Sequence, residues 1–225
     1  MTEDTNTFGV SRRTLAKGAA WSVPAAAVVA AAPHVSASPP PPPPPPVFEW
    51  SRGCATVGTE RGGCKQGTGT GDKTPQVPVY VNNPTNQTLQ FQILGAKFWA
   101  ANTTEPTAFY EPEIWTNNGT EGNCGPKITT RGCGNYLTVT LQSGNCAWLW
   151  LVQPTPLNNS SSFWAKFRFR WVTPSPACEV VGAACYQVKA PQVISNNNCD
   201  NSAVPKKVCG STVTDPNAQV PGPCA

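Results

Sequence analysis

Histidine is almost absent: the chain of 225 residues has one, His34, and it falls within a stretch that reads as a removable leader. Beyond that leader there is no imidazole. This excludes a Ser-His-Asp triad, a Cys-His dyad, histidine general-base chemistry and His-ligated zinc, copper or haem. Charge is scarce as well, at 12% of residues with a net charge of +4, which is too mild for a nucleic-acid-binding face. No C-x-x-C step exists. The shortest gap between successive cysteines, Cys178 to Cys185, holds six residues, whereas tetrathiolate zinc sites and iron–sulfur clusters usually contain a tighter step. No metal and no cofactor is therefore expected. Also missing are a Gly-rich phosphate loop, a P-loop lysine and a dinucleotide fingerprint. The longest apolar run, residues 18–32, is interrupted by Ser22 and Pro24 and is shorter than the ~20 residues a membrane span needs.

That run has the parts of a signal peptide. Arg12, Arg13 and Lys17 precede an alanine-rich segment, and Val35-Ser36-Ala37 supplies an A-x-A-like site, placing the cut between Ala37 and Ser38. The segment "SRRTLAK" resembles the bacterial twin-arginine export signal. Ser11, Arg12, Arg13 and Lys17 match its pattern, while Leu15 and Ala16 stand where Phe and Leu are preferred. The wider string "SRRTLAKGAAWSVPAAAVVAAAP" is similar to the leaders of a group of actinobacterial exported proteins. The resemblance implies the twin-arginine translocation machinery as a partner during export. It implies a secreted, extracellular or cell-envelope location, with no transmembrane segment after cleavage. An address of this kind carries no information about activity.

All ten cysteines follow the expected cut: Cys54, Cys64, Cys124, Cys133, Cys146, Cys178, Cys185, Cys199, Cys209 and Cys224. An even number bound for an oxidising compartment reads as up to five disulfides, of connectivity that spacing does not fix. The chain is also long enough to bury about 70% of its unfolded surface, so a true core is expected with the disulfides added to it.

The expected organisation is a signal peptide over residues 1–37, a proline-rich disordered or polyproline II segment over 38–47, and a single β-sandwich over 48–225. Residues 39–46 are eight consecutive prolines, with φ fixed and no amide donors. The body alternates with period two. "TLQFQIL" sets Leu89, Phe91 and Ile93 against Gln90 and Gln92; "NYLTVTLQ" sets Leu137, Val139 and Leu141 against threonines. "FWAKFRFRWV" is the longest example, with Phe163, Ala165, Phe167, Phe169 and Trp171 on one face. "CAWLWLV" is apolar on both faces, as in a central strand covered on both sides. Weaker strands are "VPVYV", "AKFWA", "FYEPEIW", "KITT" and "CYQV". Turn-rich links and the lack of a long amphipathic helix point to an all-β, immunoglobulin-like or related antiparallel sandwich. From about residue 190 an irregular segment stapled by disulfides is expected.

Two constellations could carry function. Trp164, Lys166, Arg168 and Arg170 share the polar face of the longest strand, a basic stripe with an aromatic cap. It suits an anionic envelope polymer, a glycan or another envelope protein through charge pairing and cation–π contact. The same residues suit a solvated sheet face. Glu111 and Glu113 in "YEPEIW" are the one carboxylate pair that sequence suggests for glycoside hydrolysis, and ordinary surface acids look the same. Of Trp50, Trp99, Trp115, Trp148, Trp150, Trp164 and Trp171, most are expected in the core and Trp164 is the least easily placed there. The leading expectation is a non-enzymatic, disulfide-stabilised structural or binding protein of the envelope. A glycan- or polymer-binding adhesin and a carboxylate-dependent hydrolase are the alternatives.

Overall fold

The computed structural model describes residues 43–57, 71–120, 123–157, 162–194, 209 and 221–224. The chain divides into two units, Met1–Pro39 and Pro40–Ala225. The first lies outside the described residues, and with it Ser11, Arg12, Arg13, Lys17, His34 and the expected cut between Ala37 and Ser38.

Among the described residues, twelve strands form two antiparallel sheets. Sheet I contains β1 (Val47–Phe48), β2 (Cys54–Val57), β3 (Lys73–Asn82), β5 (Glu113–Thr120), β6 (Asn123–Lys127) and β8 (Cys146–Val152). Its order is β1-β3-β8-β5-β6, with β2 also pairing β3. β1 and β2 follow one another along the same edge of β3, separated by the 3-10 turn Trp50–Arg52, and so act as one broken strand. Sheet II contains β4 (Leu89–Ala100), β7 (Thr138–Leu141), β9 (Ser162–Val172), β10 (Val180–Lys189), β11 (Val193–Ile194) and β12 (Gly222–Pro223). Its order is β12-β10-β9-β4-β7, with β11 beside β9.

With the broken β1/β2 strand taken as the first, the long strands β1/β2, β3, β4, β5, β8, β9 and β10 stand in the positions A to G of an immunoglobulin fold. Sheet I reads A-B-E-D and sheet II reads G-F-C. β6 and β7 extend the two sheets at their far edges. The cystine that joins strands B and F in antibody domains has no counterpart, since neither β3 nor β9 contains cysteine. Aromatic packing fills that space. Phe48 and Trp50 from the broken edge strand stack on Phe167 of β9, with ring centroids at 5.3 and 5.9 Å. Val77, Val79, Val81, Ile114, Leu149 and Leu151 of sheet I meet Phe91, Ile93, Phe98, Phe163, Phe169 and Trp171 of sheet II in one buried cluster.

Strand patterns explain this layering. β9 alternates half-buried and buried along its length, with its aromatic face inward. β8 lies between β3 and β5 and is buried on both faces: Leu149 and Leu151 point to the core. Trp148, Trp150 and Val152 form a second cluster with Cys54 and Tyr80 on the outer side of sheet I. The strands expected around "TLQFQIL" and "AKFWA" are one, β4, bent by an irregularity between Ile93 and Gly95. "FYEPEIW" is strand only from Glu113, and of "KITT" only Lys127 belongs to a strand. Pro43 and Pro46, within the proline run, are buried.

Three disulfides are described. Cys133–Cys178 ties the turn before β7 to the β9–β10 connection, Cys146–Cys209 ties β8 to the C-terminal segment, and Cys185–Cys224 ties β10 to the end of β12. Cys54 is disulfide-bonded too. Pairings of Cys64, Cys124 and Cys199 lie outside the described residues. The three bridges span 45, 63 and 39 residues, and restricting loops of that size in the unfolded chain contributes about 4 kcal/mol each. Such bridges suit an oxidising, extracellular environment. Among the described residues no helix is long and apolar enough to cross a membrane.

Candidate functional site

The period-two pattern of β9 sets Trp164, Lys166, Arg168 and Arg170 on the outer face of sheet II, each half-buried. Register then decides their neighbours. β4 brings Trp99 opposite Trp164, Lys97 opposite Lys166, Gly95 opposite Arg168 and Gln92 opposite Arg170. On the other side β10 brings Lys189 opposite Lys166 and Gln187 opposite Arg168. Three lysines from three adjacent strands therefore lie in one cross-strand row. Like charges in directly opposed positions repel.

Among the described residues a single carboxylate relieves the row. Glu105, from the β4–β5 connection, lies 2.6 Å from Lys166 Nζ, 3.4 Å from Lys97 Nζ and 3.5 Å from Lys189 Nζ. The hydrogen bond from Lys166, foremost, and then the neighbouring ammonium charges hold the Glu105 carboxyl below its ordinary value of 4.5. Among the described residues, three ammonium groups sharing one carboxylate leave the cluster positive. Beside it Trp99 and Trp164 stack, with centroids 6.4 Å apart and planes within 13°. Lys189 Nζ sits 5.3 and 5.5 Å from the two indole centroids. With 47% of its side chain exposed, Lys189 is the most accessible of the three lysines.

The arginine end of the same stripe is covered. Phe109 lies over Arg168 and Lys97, at 4.2 and 4.5 Å from ring centroid to cation, and Arg168 donates to Gln187 Oε1 at 3.0 Å. Gly95 makes this possible: a Cβ there would meet Phe109 Cβ at 2.9 Å. Tyr110 locks the covering segment. Its hydroxyl accepts from Phe98 N–H at 2.8 Å and hydrogen-bonds Gln153 Oε1, and burial pushes its phenol well above the usual range. Arg170 donates to Gln92 Oε1 at 2.9 Å, reaches the Cys133 carbonyl and lies beneath the Tyr136 ring. Gly134 and Asn135 turn the chain there with φ of 72° and 63°, a left-handed pair that favours such residues. Gln92, on the strand face opposite Leu89, Phe91 and Ile93, is fully buried and bonded to the Cys133 carbonyl and the Thr138 hydroxyl.

The structure brings Glu111 and Glu113 to one cleft of about 370 Å³, together with Lys127 and Arg131. Each carboxylate has its own cation. Arg131 binds Glu111 through both terminal nitrogens at 2.6 and 2.7 Å. Lys127 Nζ lies 3.0 Å from Glu113 Oε1, and the Trp115 indole donates to Glu113 Oε2 at 3.2 Å. Among the described residues no group of three or more His, Cys, Asp or Glu side chains is placed to hold a metal ion.

Sequence reasoning named Trp164 and Lys166 but missed Trp99, Lys97, Lys189 and Glu105. The first two were legible in principle, since in "AKFWA" Lys97 and Trp99 share one strand face. Glu105 was not, because it comes from a connection without periodicity. Comparison with family models, with curated proteins and with solved structures finds no match to this chain.

Proposed function

We propose that this chain is an exported, non-enzymatic binding module of the bacterial envelope, carried out by the twin-arginine route and recognising an anionic polymer with ring-shaped units. The observation that carries this reading is the row of Lys97, Lys166 and Lys189 around one carboxylate, next to the stacked Trp99 and Trp164. Ammonium groups match carboxylate, phosphate or sulfate groups, and the half-buried Trp164 indole adds an apolar aromatic surface for a sugar ring. Arg168 and Arg170 support the sheet rather than the ligand, since their heads engage Gln187, Gln92 and the covering rings. Disulfides that suit an oxidising compartment support the export reading. The cations paired with Glu111 and Glu113 support a non-catalytic role for those carboxylates.

Co-sedimentation with purified bacterial cell wall, with dextran sulfate and neutral dextran as reference polymers, tests the reading. Lys166→Ala/Lys189→Ala is expected to weaken binding to the wall and to dextran sulfate by about tenfold or more, with wild-type binding itself lost at high salt. Arg168→Ala/Arg170→Ala is expected to leave the affinity of the folded fraction unchanged. Wild-type retention of the lysine variant would overturn the assignment.

A further inference from the structure

The lysine row is graded in depth. Side-chain exposure falls from 47% at Lys189 through 19% at Lys166 to 8% at Lys97, following the order β10, β9, β4 across sheet II. Lys189 is thus the rim of the row and Lys97 its floor, where the Phe109 ring lies 4.5 Å from the Lys97 ammonium. The resident anion serves these three groups unevenly. Glu105 Oε1 takes both Lys166, at 2.6 Å, and Lys97, at 3.4 Å, while Oε2 takes Lys189 at 3.5 Å. Charge-assisted N–H···O bonds are ordinarily ~2.7–2.9 Å long, so one contact is tight and two are long. The cause is a mismatch of number: a carboxylate has two oxygens, and three ammonium groups surround it. The deepest of the three is left with a weak partner, which is costly for a charge so little hydrated.

We propose that the group recognised here is a tetrahedral oxyanion ester, a sulfate ester or a phosphate monoester on the polymer, that it takes the place of the Glu105 carboxylate, and that Lys97 selects it over a carboxylate. The proposal rests on the polymer-binding reading of the same lysines and names the group that they bind. A sulfate ester or phosphate monoester has three terminal oxygens, one for each ammonium. A carboxylate on a ligand offers only what Glu105 already offers, and Glu105 is tethered at high effective concentration. Glu105 can give way, because Thr103, Thr104 and Thr107 beside it on the β4–β5 connection are exposed and leave solvent for its side chain to turn into. Lys189 and Lys166, nearer the rim, attract an anion of any shape. Lys97 is different: only a group with a third oxygen satisfies the floor while still engaging the other two. The sugar that bears the ester then lies at the rim, where Lys189 stands over the half-buried Trp164.

The test measures affinity of the full chain for dextran sulfate, dextran phosphate and carboxymethyl-dextran of one chain length and one degree of substitution. Backbone and spacing are then common, and only the anionic group differs. Wild type is expected to bind the sulfate and phosphate forms about tenfold more tightly than the carboxymethyl form, the worth of one further charge-assisted contact. The tighter of the two esters identifies the natural group. Lys97→Met keeps the length of the side chain and removes its charge, and it is expected to shrink that preference to about twofold. The ratio is the readout because displacement of Glu105 lowers the affinity of every ligand alike and cancels from it. General damage to the fold cancels in the same way. Should Lys97→Met fold poorly, Lys97→Met/Glu105→Gln removes the buried cation together with its carboxylate and is read identically. Glu105→Gln alone is expected to raise affinity for all three polymers by a similar factor and to preserve the preference. A wild-type ratio below about twofold, or a tenfold ratio that survives Lys97→Met, would overturn the oxyanion proposal and leave the polymer-binding reading standing. Unchanged affinities in Glu105→Gln would overturn replacement of the carboxylate. Wild type that binds none of the three would overturn the proposal and the reading together.

Discussion

The outer face of sheet II has two ends that the sequence writes alike and the fold treats differently. Along β9 the residues Trp164, Lys166, Arg168 and Arg170 alternate with the same core-facing aromatics. At the arginine end Phe109 and Tyr136 lie over the cations, and side-chain amides of Gln187 and Gln92 take their hydrogen bonds. At the lysine end Glu105 is shared by three ammonium groups, and exposed Lys189 overhangs an indole pair. The arginines are thus part of a third layer of packing, while the lysines keep charge in excess of their partner. The difference teaches that periodicity assigns a face and distant connections assign its use. Here those connections are the β4–β5 segment and the turn at residues 132–136.

If the closed end is structural, disturbing its cover should cost stability and spare binding. Gly95→Val is expected to have the largest effect, because the added carbons meet Phe109 Cβ, which moves only with the covering backbone. A loss of about 2–3 kcal/mol in chemical denaturation follows from overpacking of this kind. Arg170→Ala should come next, at about 1–2 kcal/mol, since it strips fully buried Gln92 of a partner and removes the cation beneath Tyr136. Lys189→Ala at the open end should change stability by less than about 0.5 kcal/mol, as expected for an exposed, weakly held charge. A Lys189→Ala loss as large as that of Arg170→Ala would erase the distinction between the ends.

Much of the architecture was legible because the strands announce themselves. The alternation of "FWAKFRFRWV" became β9 with every inward residue in its expected place, and the two-sided apolarity of "CAWLWLV" became the central strand of sheet I. Both signals come from faces buried against regular neighbours, where a period of two has a direct physical cause. The A-B-E-D and G-F-C order was not legible, because pairing between β3 and β8 or β4 and β9 joins residues far apart in sequence, without a local signature. The site was half legible for the same reason. Lys166 and Trp164 could be placed on a strand face, but the row they share with Lys97, Trp99 and Lys189 depends on register across three strands. The carboxyls at Glu111 and Glu113 show the converse: adjacency in sequence suggested joint chemistry, and Arg131 and Lys127 from later segments divide them.

The smallest expected effect bears on what the open end is for. Glu105 has a folded-state pKa held below 4.5 by Lys166, Lys97 and Lys189. Its ion pairs therefore contribute stability fully above the unfolded value, and that contribution is lost as pH falls through the lower folded value. Because the group is at the surface, the loss should be slight and reduced by salt. Comparing acid denaturation of wild type and Glu105→Gln isolates it, the two curves converging once the carboxyl is protonated. Binding should move the opposite way. Protonating Glu105 frees three ammonium groups from their shared carboxylate, so affinity for dextran sulfate, whose charge is constant over this range, should rise in the wild type as pH falls below 4.5. In Glu105→Gln it should already be high and flat. An affinity that is flat in both chains would place the polymer elsewhere on the molecule and leave the lysine row as a purely internal balance of charge.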